Sequence, residues 1–172
     1  MNFYEWEKSV PEFLKNDPLW KMKVYRLALF LCDIGWHDVT KLMKDRRTIA
    51  IADQLYRALG SVCANIEEGY SRGSSRDRVR FYEYSLGSAR ESRGWYYRGR
   101  HILGKEVLEH RLKLLTEVIC LLMSAVPKVR GHKIGEPQPV YSVSKNSESY
   151  PSKQLTEQEL EMLLTDVPFC TT

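Results

Sequence analysis

The residues of this chain best suited to chemistry are arginines, eight of which lie between positions 71 and 101. The same stretch contains three carboxylates, Asp77, Glu83 and Glu91, and no lysine. A planar guanidinium group binds phosphate oxygens through paired hydrogen bonds, which a lysine ammonium group cannot match. We therefore predict that this stretch binds nucleic acid, either RNA or DNA. The predicted nucleic-acid-binding residues are Arg72, Arg76, Arg78, Arg80, Arg90, Arg93, Arg98 and Arg100.

Of the tyrosines in or beside this stretch, four bear on how nucleic acid would be bound. They are Tyr70, Tyr82, Tyr96 and Tyr97. Aromatic rings among arginines are typical of proteins that stack unpaired bases. The alternative is a solvated helix face with ordinary core tyrosines, because a run of charge usually forms such a face.

A second set of polar residues lies where two predicted helices meet, on either side of the turn after Gly69. The set consists of Asn65, Glu68, Ser88 and Glu91. A buried polar group is costly unless it is paired, so such groups usually form satisfied hydrogen-bond networks. We predict a structural polar network that holds the two helices together. Direct contact of these residues with a ligand is the alternative.

Two classes of all-helical enzyme can be tested by residue spacing, and neither fits. Di-iron bundles need Glu-x-x-His pairs, but none of the four histidines has a glutamate three residues before it. None has an arginine at the Arg-then-His spacing that helical ribonucleases of the HEPN type share. No glycine-rich phosphate loop occurs, and no Cys-x-x-Cys pair. We predict that the protein is not an enzyme and needs no cofactor or metal.

Helical periodicity defines the elements that must position these residues. Asp17 and Pro18 form a typical helix start, and Gly35 is a candidate bend in the helix that follows. The predicted helices run from Asp17 to about Asp45, from about Ile51 to Gly69, from about Arg76 to Leu103, and from Gly104 to Pro127. Strand signals are nearly absent. The predicted fold class is all-α, an antiparallel up-and-down four-helix bundle with a flexible C-terminal tail.

The fourth predicted helix has two apolar lines. Beside its main core stripe it carries Leu114, Val118, Leu121 and Ala125. A helix that is apolar on two sides is either deeply buried or shared with a neighbouring subunit. Because each helix of a four-helix bundle has an outer face, we predict a homo-oligomer.

The composition changes after Arg130, which divides the chain into a bundle domain (1–130) and a tail (131–172). The tail is rich in Ser, Pro and Gly, and near 156–167 it contains a short acidic amphipathic helix with a capping box. It holds three basic and six acidic residues, so the bundle domain carries a net charge of about +7 out of a total of +4. A basic body favours a polyanionic partner, and we expect the acidic tail to compete for the arginines.

The sequence predicts a cytoplasmic protein that does not bind membranes. The N-terminal residues lack a basic region followed by an apolar run, so no secretory signal is expected. The longest apolar segments contain Arg26, Asp33 and Glu117 and are too short to span a bilayer.

The segment around the predicted turn resembles a known family. It reads Ala64-Asn65-Ile66, Glu68-Gly69, Arg72, Ser74, Asp77, Arg80-Phe81, Gly87-Ser88 and Glu91. These 28 residues are similar to the 23S rRNA-intervening-sequence family of bacterial four-helix-bundle proteins. That family includes the accessory variability determinant (Avd) proteins of diversity-generating retroelements. The helical pattern extends the likeness to residues 17–128, although the family usually has proline where Cys63 stands here.

The resemblance implies an up-and-down bundle that assembles as a ring-like homopentamer. It also implies a basic surface for nucleic acid and, in the retroelement branch, a reverse transcriptase partner. We predict a non-enzymatic, oligomeric bundle that binds RNA or DNA through its arginines. If the chain belongs to the retroelement branch, it would do so as an accessory factor to a reverse transcriptase. The alternative is a protein–protein scaffold or ribosome-associated structural protein that does not bind nucleic acid directly.

Overall fold

The computed structural model describes residues 1–130 and 154–170, and every regular element in these ranges is helical. This confirms the predicted all-α fold class. The helices are α1 (Phe3–Ser9), α2 (Glu12–Lys15), α3 (Lys23–Leu42), α4 (Ile49–Tyr70), α5 (Ser75–Arg98), α6 (Arg100–Leu103), α7 (Lys105–Arg130) and α8 (Glu157–Thr165). The four long helices form a bundle, in which α4 packs on α3 and α5 while α7 packs on α5 and α3.

The first predicted helix differs from the structure at its start and in its middle. The Asp17 side chain accepts a hydrogen bond from the Leu19 amide, but the turn that it caps is a short 3-10 helix, Pro18–Lys21, and α3 begins only at Lys23. Gly35 does not interrupt α3. A Cβ at this position would lie 2.5 Å from Leu59 Cδ1, so glycine is needed for the close approach of α3 and α4.

Gly69 and the turn after it set the geometry between α4 and α5. We predicted a left-handed helix stop at Gly69, and this was wrong: α4 runs through it to Tyr70. A Cβ there would lie 2.8 Å from the Tyr82 ring, so the glycine makes room for a side chain of α5. Ser74 then caps α5 through the Asp77 amide, as the sequence predicted.

The last two bundle helices also have different ends from those predicted. The third predicted helix divides at Gly99 into α5 and the short α6, and Gly104 (φ 86°) makes the following turn. The fourth was expected to end at Pro127, but α7 extends to Arg130. A proline removes one backbone hydrogen bond, and near the end of a 26-residue helix this does not stop it.

The second apolar line of α7 lies largely inside the single chain. Leu114 and Val118 are completely buried, and Leu121 is half-buried. Within one chain these residues already have a core to pack into, so they do not by themselves require a neighbouring subunit.

The C-terminal helix α8 packs against α1 and α7. Its capping box is present as predicted, because Thr156 and Glu159 each bond the backbone amide of the other. Three leucines of α8 are buried against the bundle, namely Leu160, Leu163 and Leu164. The predicted flexible linker falls on residues 131–153, which lie outside the described residues.

The N-terminal helix α1 completes this end of the molecule. Asn2 and Glu5 form its capping box, and Phe3 and Trp6 are buried against Phe30 of α3. The Tyr4 hydroxyl also donates a hydrogen bond to Glu161 of α8. The sequence analysis did not predict α1.

Candidate nucleic-acid interface

The eight predicted arginines lie on α5 and on the short segments that flank it. The buried face of α5 carries apolar and small side chains, among them Val79, Ser85 and Ala89. The arginines occupy the remaining faces. Arg72, Arg76, Arg80, Arg90 and Arg98 are exposed, while Arg78, Arg93 and Arg100 are half-buried. We call these eight residues the arginine surface.

Two arginines stack on aromatic rings near the start of α5. The Arg72 guanidinium lies 4.6 Å from the centre of the Phe81 ring. That of Arg80 lies 5.5 Å from the centre of the Tyr84 ring, and its Nε donates a hydrogen bond of 2.6 Å to the Tyr84 hydroxyl. Each stack holds a flexible side chain in one orientation with charge still facing solvent.

Two more arginine–aromatic pairs lie at the other end of α5. Arg98 lies over the Trp95 ring at 4.5 Å, and Arg100 over the Tyr97 ring at 4.3 Å. Arg100 also donates a hydrogen bond of 2.9 Å to the Tyr97 carbonyl oxygen. Helix α5 has 24 residues and is about 36 Å long, and the two stacked clusters lie on either side of its middle.

Most of the positive charge of this surface is not neutralised within the chain. Arg72 is paired with Glu68 at 2.5 Å. Among residues 1–130 and 154–170, Arg76, Arg90 and Arg93 have no carboxylate within ion-pair distance. These three guanidinium groups are therefore available to an anionic ligand.

The predicted tyrosines divide into two groups. Tyr82 and Tyr96 are buried in the core and cannot contact a ligand. Tyr70 and Tyr97 are exposed, the latter by 55%, and Tyr84, which was not on the predicted list, is exposed by 46%. The rings available for stacking thus differ from those that the sequence indicated.

The four residues of the predicted polar network are not brought together. Asn65 donates to the Ser61 carbonyl, Ser88 donates to the Tyr84 carbonyl, and Glu91 accepts from Trp95 Nε1. Glu68, as described, pairs with Arg72. Each of these bonds stays within one helix or its adjoining turn, and none of them joins α4 to α5.

A different residue makes the polar contact between these two helices. The Ser85 hydroxyl donates a hydrogen bond of 2.9 Å to the Val62 carbonyl oxygen and is fully buried. Small residues on the same face of α5 let α4 approach this closely.

The sequence analysis missed a buried ionic centre formed by Asp38 of α3 and Arg111 of α7. Both side chains have no exposed surface. Arg111 Nε lies 2.7 Å and Nη2 3.2 Å from the two carboxylate oxygens, and the Tyr96 hydroxyl donates a third hydrogen bond at 2.9 Å. The sequence contains one signal of this centre, because Asp38 is a charged residue at the helical spacing of core residues. It lies four residues from both Ile34 and Leu42, which are buried.

The C-terminal segment completes this centre. Arg111 Nη2 donates to the Pro168 carbonyl oxygen at 2.9 Å, and Arg111 Nη1 lies 2.8 Å from His110 Nδ1. Because a guanidinium group can only donate, His110 accepts at Nδ1 and carries its proton on Nε2, which lies 2.7 Å from the Leu163 carbonyl oxygen. Burial, and then the nearby charge of Arg111, lower the pKa of His110 to about 4.

An exposed apolar groove of about 320 Å³ lies between α1, α3 and α4. The Trp36 and Tyr56 rings meet at its edge in an edge-to-face arrangement 5.8 Å apart, and Trp36 is exposed by 57%. Leu14 and Cys32 contribute to its lining.

The described part of the chain has neither a metal-binding cluster nor a membrane-spanning helix. Residues 1–130 and 154–170 contain no group of three or more His, Cys, Asp or Glu side chains that could hold a metal ion. None of the helices in these ranges has both the length and the apolar character needed to cross a bilayer.

Comparison with known proteins bears on this architecture. The family model for the 23S rRNA-intervening sequence protein matches residues 20–124, which covers α3 to α7 almost completely. The chain belongs to this family. Helices α1 and α8 lie outside the matched range.

One solved structure shares the family fold. It is the crystal structure of a protein with unknown function from the S23 ribosomal protein family of Bacteroides thetaiotaomicron VPI-5482. The two sequences are 24% identical, the match covers 60% of this chain and 97% of that one, and the TM-score is 0.56. Comparison with curated proteins gave no match.

Proposed function

We propose that this protein is a non-enzymatic, oligomeric helical bundle that binds nucleic acid through the arginine surface. The observation that carries the proposal is the combination of unpaired and stacked arginines on α5. Arg76, Arg90 and Arg93 have no carboxylate partner in the described chain, and four other arginines are held in place by aromatic rings. A guanidinium group oriented in advance loses less conformational entropy when it meets a phosphate.

The net charge of the whole bundle domain also favours a polyanionic ligand. Its net charge of about +7 attracts phosphate at long range, and the arginine surface concentrates that charge on one helix. The family name refers to 23S rRNA and the relative's name to a ribosomal protein family, which favours RNA as the ligand. In the retroelement branch of the family, the same surface would act beside a reverse transcriptase.

Salt dependence tests this function. Each phosphate neutralised by an arginine releases condensed counterions, so the slope of log affinity against log salt is about −0.7 per contact for a single strand. We expect Arg76→Ala or Arg90→Ala to reduce the slope by about one contact and to weaken all sequences alike, because phosphate contacts do not read bases. Fluorescence anisotropy with a labelled oligonucleotide at several salt concentrations measures both quantities.

A matched control comes from α4. Arg57 is also exposed, but it is paired with Asp53 at 2.7 Å and lies outside the arginine surface. Arg57→Ala should leave the slope unchanged. Affinity that is the same at low and high salt, or equal losses for Arg57→Ala and Arg76→Ala, would rule out the arginine surface as the binding site.

The second candidate function is a protein–protein scaffold, and the apolar groove beside Trp36 favours it. Exposed aromatic side chains around a groove are typical of protein interfaces. In this function the protein assembles with copies of itself, as a pentamer by family likeness, and docks a partner such as a reverse transcriptase that holds the nucleic acid. Binding of bare nucleic acid by the isolated protein distinguishes the two candidates.

A further inference from the structure

Two parallel lines of side chains run along the exposed part of α5. Residues spaced three and four apart share one face of a helix, so Arg76, Arg80, Arg90 and Arg98 form one line. Phe81, Tyr84 and Trp95 form the neighbouring line. A ligand that lies along α5 therefore meets guanidinium groups on one side and aromatic rings on the other.

The two lines are coupled by stacking. Arg80 and Arg98, which belong to the first line, lie over Tyr84 and Trp95, which belong to the second. A guanidinium plane and an aromatic ring are both surfaces on which a nucleic-acid base can stack. Tyr84 and Trp95 are eleven residues apart, which places the two stacks about 16 Å from each other along the helix.

Between the two stacks, one exposed position of α5 carries no side chain. A Cβ at Gly87 would meet nothing within 4 Å, so the interior of the chain does not need glycine there. With no side chain at this position, the backbone of α5 is accessible to a strand that passes from one stack to the other. Carboxylates lie in both lines: Glu83 shares the face of the arginines, whereas Asp77 and Glu91, which accepts from Trp95 Nε1, share that of the rings. The four guanidinium groups outnumber the one carboxylate of their own line, so phosphates are directed to the arginine line and bases to the aromatic line.

From this arrangement we propose that the arginine surface selects single-stranded nucleic acid over duplex. The inference rests on the proposed nucleic-acid binding and adds the class of ligand to it. A duplex offers its phosphates to the arginine line, but its bases are stacked on one another and cannot reach Tyr84 or Trp95. An unpaired strand offers both, and each base that stacks on an aromatic side chain strengthens binding independently of sequence.

The test compares one RNA sequence as a single strand and as a duplex, bound to the full-length protein at fixed ionic strength. We expect the single strand to bind more tightly. Tyr84→Leu should weaken single-strand binding by roughly tenfold and duplex binding much less, because both forms lose the ring that orients Arg80 but only the strand loses a stacking partner. Tyr84→Phe keeps the ring and should restore most of the single-strand affinity. Phe13→Leu, which replaces an exposed aromatic residue of α2 that does not line the groove, is the control and should change neither.

The outcomes separate this inference from the function on which it rests. Salt-dependent binding with equal affinity for both forms, unaffected by Tyr84→Leu, would overturn the selection of single strands and leave nucleic-acid binding in place. A parallel loss of single-strand and duplex affinity in Tyr84→Leu would also overturn it. Binding of neither form at any salt concentration would overturn both proposals.

Discussion

At the residue scale, the centre around Asp38 and Arg111 shows how a helical core can hold charge. Removing two charges from water is costly, and their attraction offsets this only when the remaining hydrogen-bonding groups are also satisfied. Here Arg111 donates to Asp38, to His110 and to the Pro168 carbonyl oxygen, and Tyr96 supplies a further donor to Asp38. The completeness of this network requires a neutral imidazole at His110, since Nδ1 must accept.

This requirement predicts a pH-dependent stability. In the unfolded chain the pKa of a histidine is about 6.5, whereas in the folded protein that of His110 is lowered to about 4. Between these values the unfolded state binds a proton that the folded state does not, so the free energy of unfolding decreases as the pH falls. We expect this residue to account for a loss of up to roughly 3 kcal/mol between pH 7 and pH 4. Urea unfolding at a series of pH values measures it.

Two variants isolate the contribution of His110 from that of the carboxylates that titrate in the same range. His110→Gln removes the titrating group and should flatten the pH profile over this window, whatever its own stability at pH 7. The exposed His101→Gln should leave the profile unchanged. A His110→Gln profile parallel to that of the wild type would show that the buried imidazole is not responsible.

At the scale of elements, α1 and α8 are two helices that the family match does not cover. Both lie outside the matched residues 20–124, and they contact each other as well as α3 and α7. A nine-residue helix such as α8 is marginal by itself in water, so its stability depends on the three leucines buried against the bundle. The described part of the acidic tail is thus held by apolar packing and by carbonyl contacts with His110 and Arg111.

This placement changes what is expected of the tail. We expect Leu163→Ala or Leu164→Ala to lower the free energy of unfolding by roughly 2–5 kcal/mol, the usual cost of removing a buried leucine side chain. Met162, on the same helix, is exposed by 64%, and Met162→Ala should change stability by less than about 0.5 kcal/mol. Thermal or urea unfolding of the three variants measures these changes in stability. Equal and small effects at all three positions would mean that α8 does not dock in solution.

At the scale of the whole molecule, the exposed apolar surface is located elsewhere than the sequence indicated. The second apolar line of α7 is mostly buried, whereas Trp36 and Tyr56 remain exposed beside the groove. If the protein assembles as proposed, this groove offers exposed apolar surface for the contact. The predicted homo-oligomer therefore should depend on Trp36 more than on Leu114 or Val118.

Light scattering tests both the assembly and its surface. We expect the wild type to have a mass several times that of one chain at micromolar concentration, and Trp36→Glu to lower it because a charge cannot be buried in an apolar contact. Met43→Glu, also on an exposed part of the chain but outside the groove, is the control. A monomeric wild type would contradict the assembly, and an unchanged mass for Trp36→Glu would contradict the use of the groove.

Some features of the candidate interface could have been predicted more fully. Arg80 with Tyr84, Trp95 with Arg98, and Tyr97 with Arg100 are pairs at helical spacings of three or four, which the sequence displays openly. The stack of Arg72 on Phe81 joins residues on either side of the turn between α4 and α5, and no spacing rule indicates it.

Local signals in the sequence were sufficient for most helices and for the capping box of α8, because apolar periodicity and capping residues act within a few positions along the chain. They did not distinguish a left-handed glycine stop from a glycine that makes room for Tyr82, since both appear as one glycine near a helix end. Tertiary structure alone decided that Asp38 meets Arg111, 73 residues away, and that the tail covers this pair. Such contacts depend on which helix faces pack together, and a periodic pattern indicates that a face is buried without indicating what it is buried against.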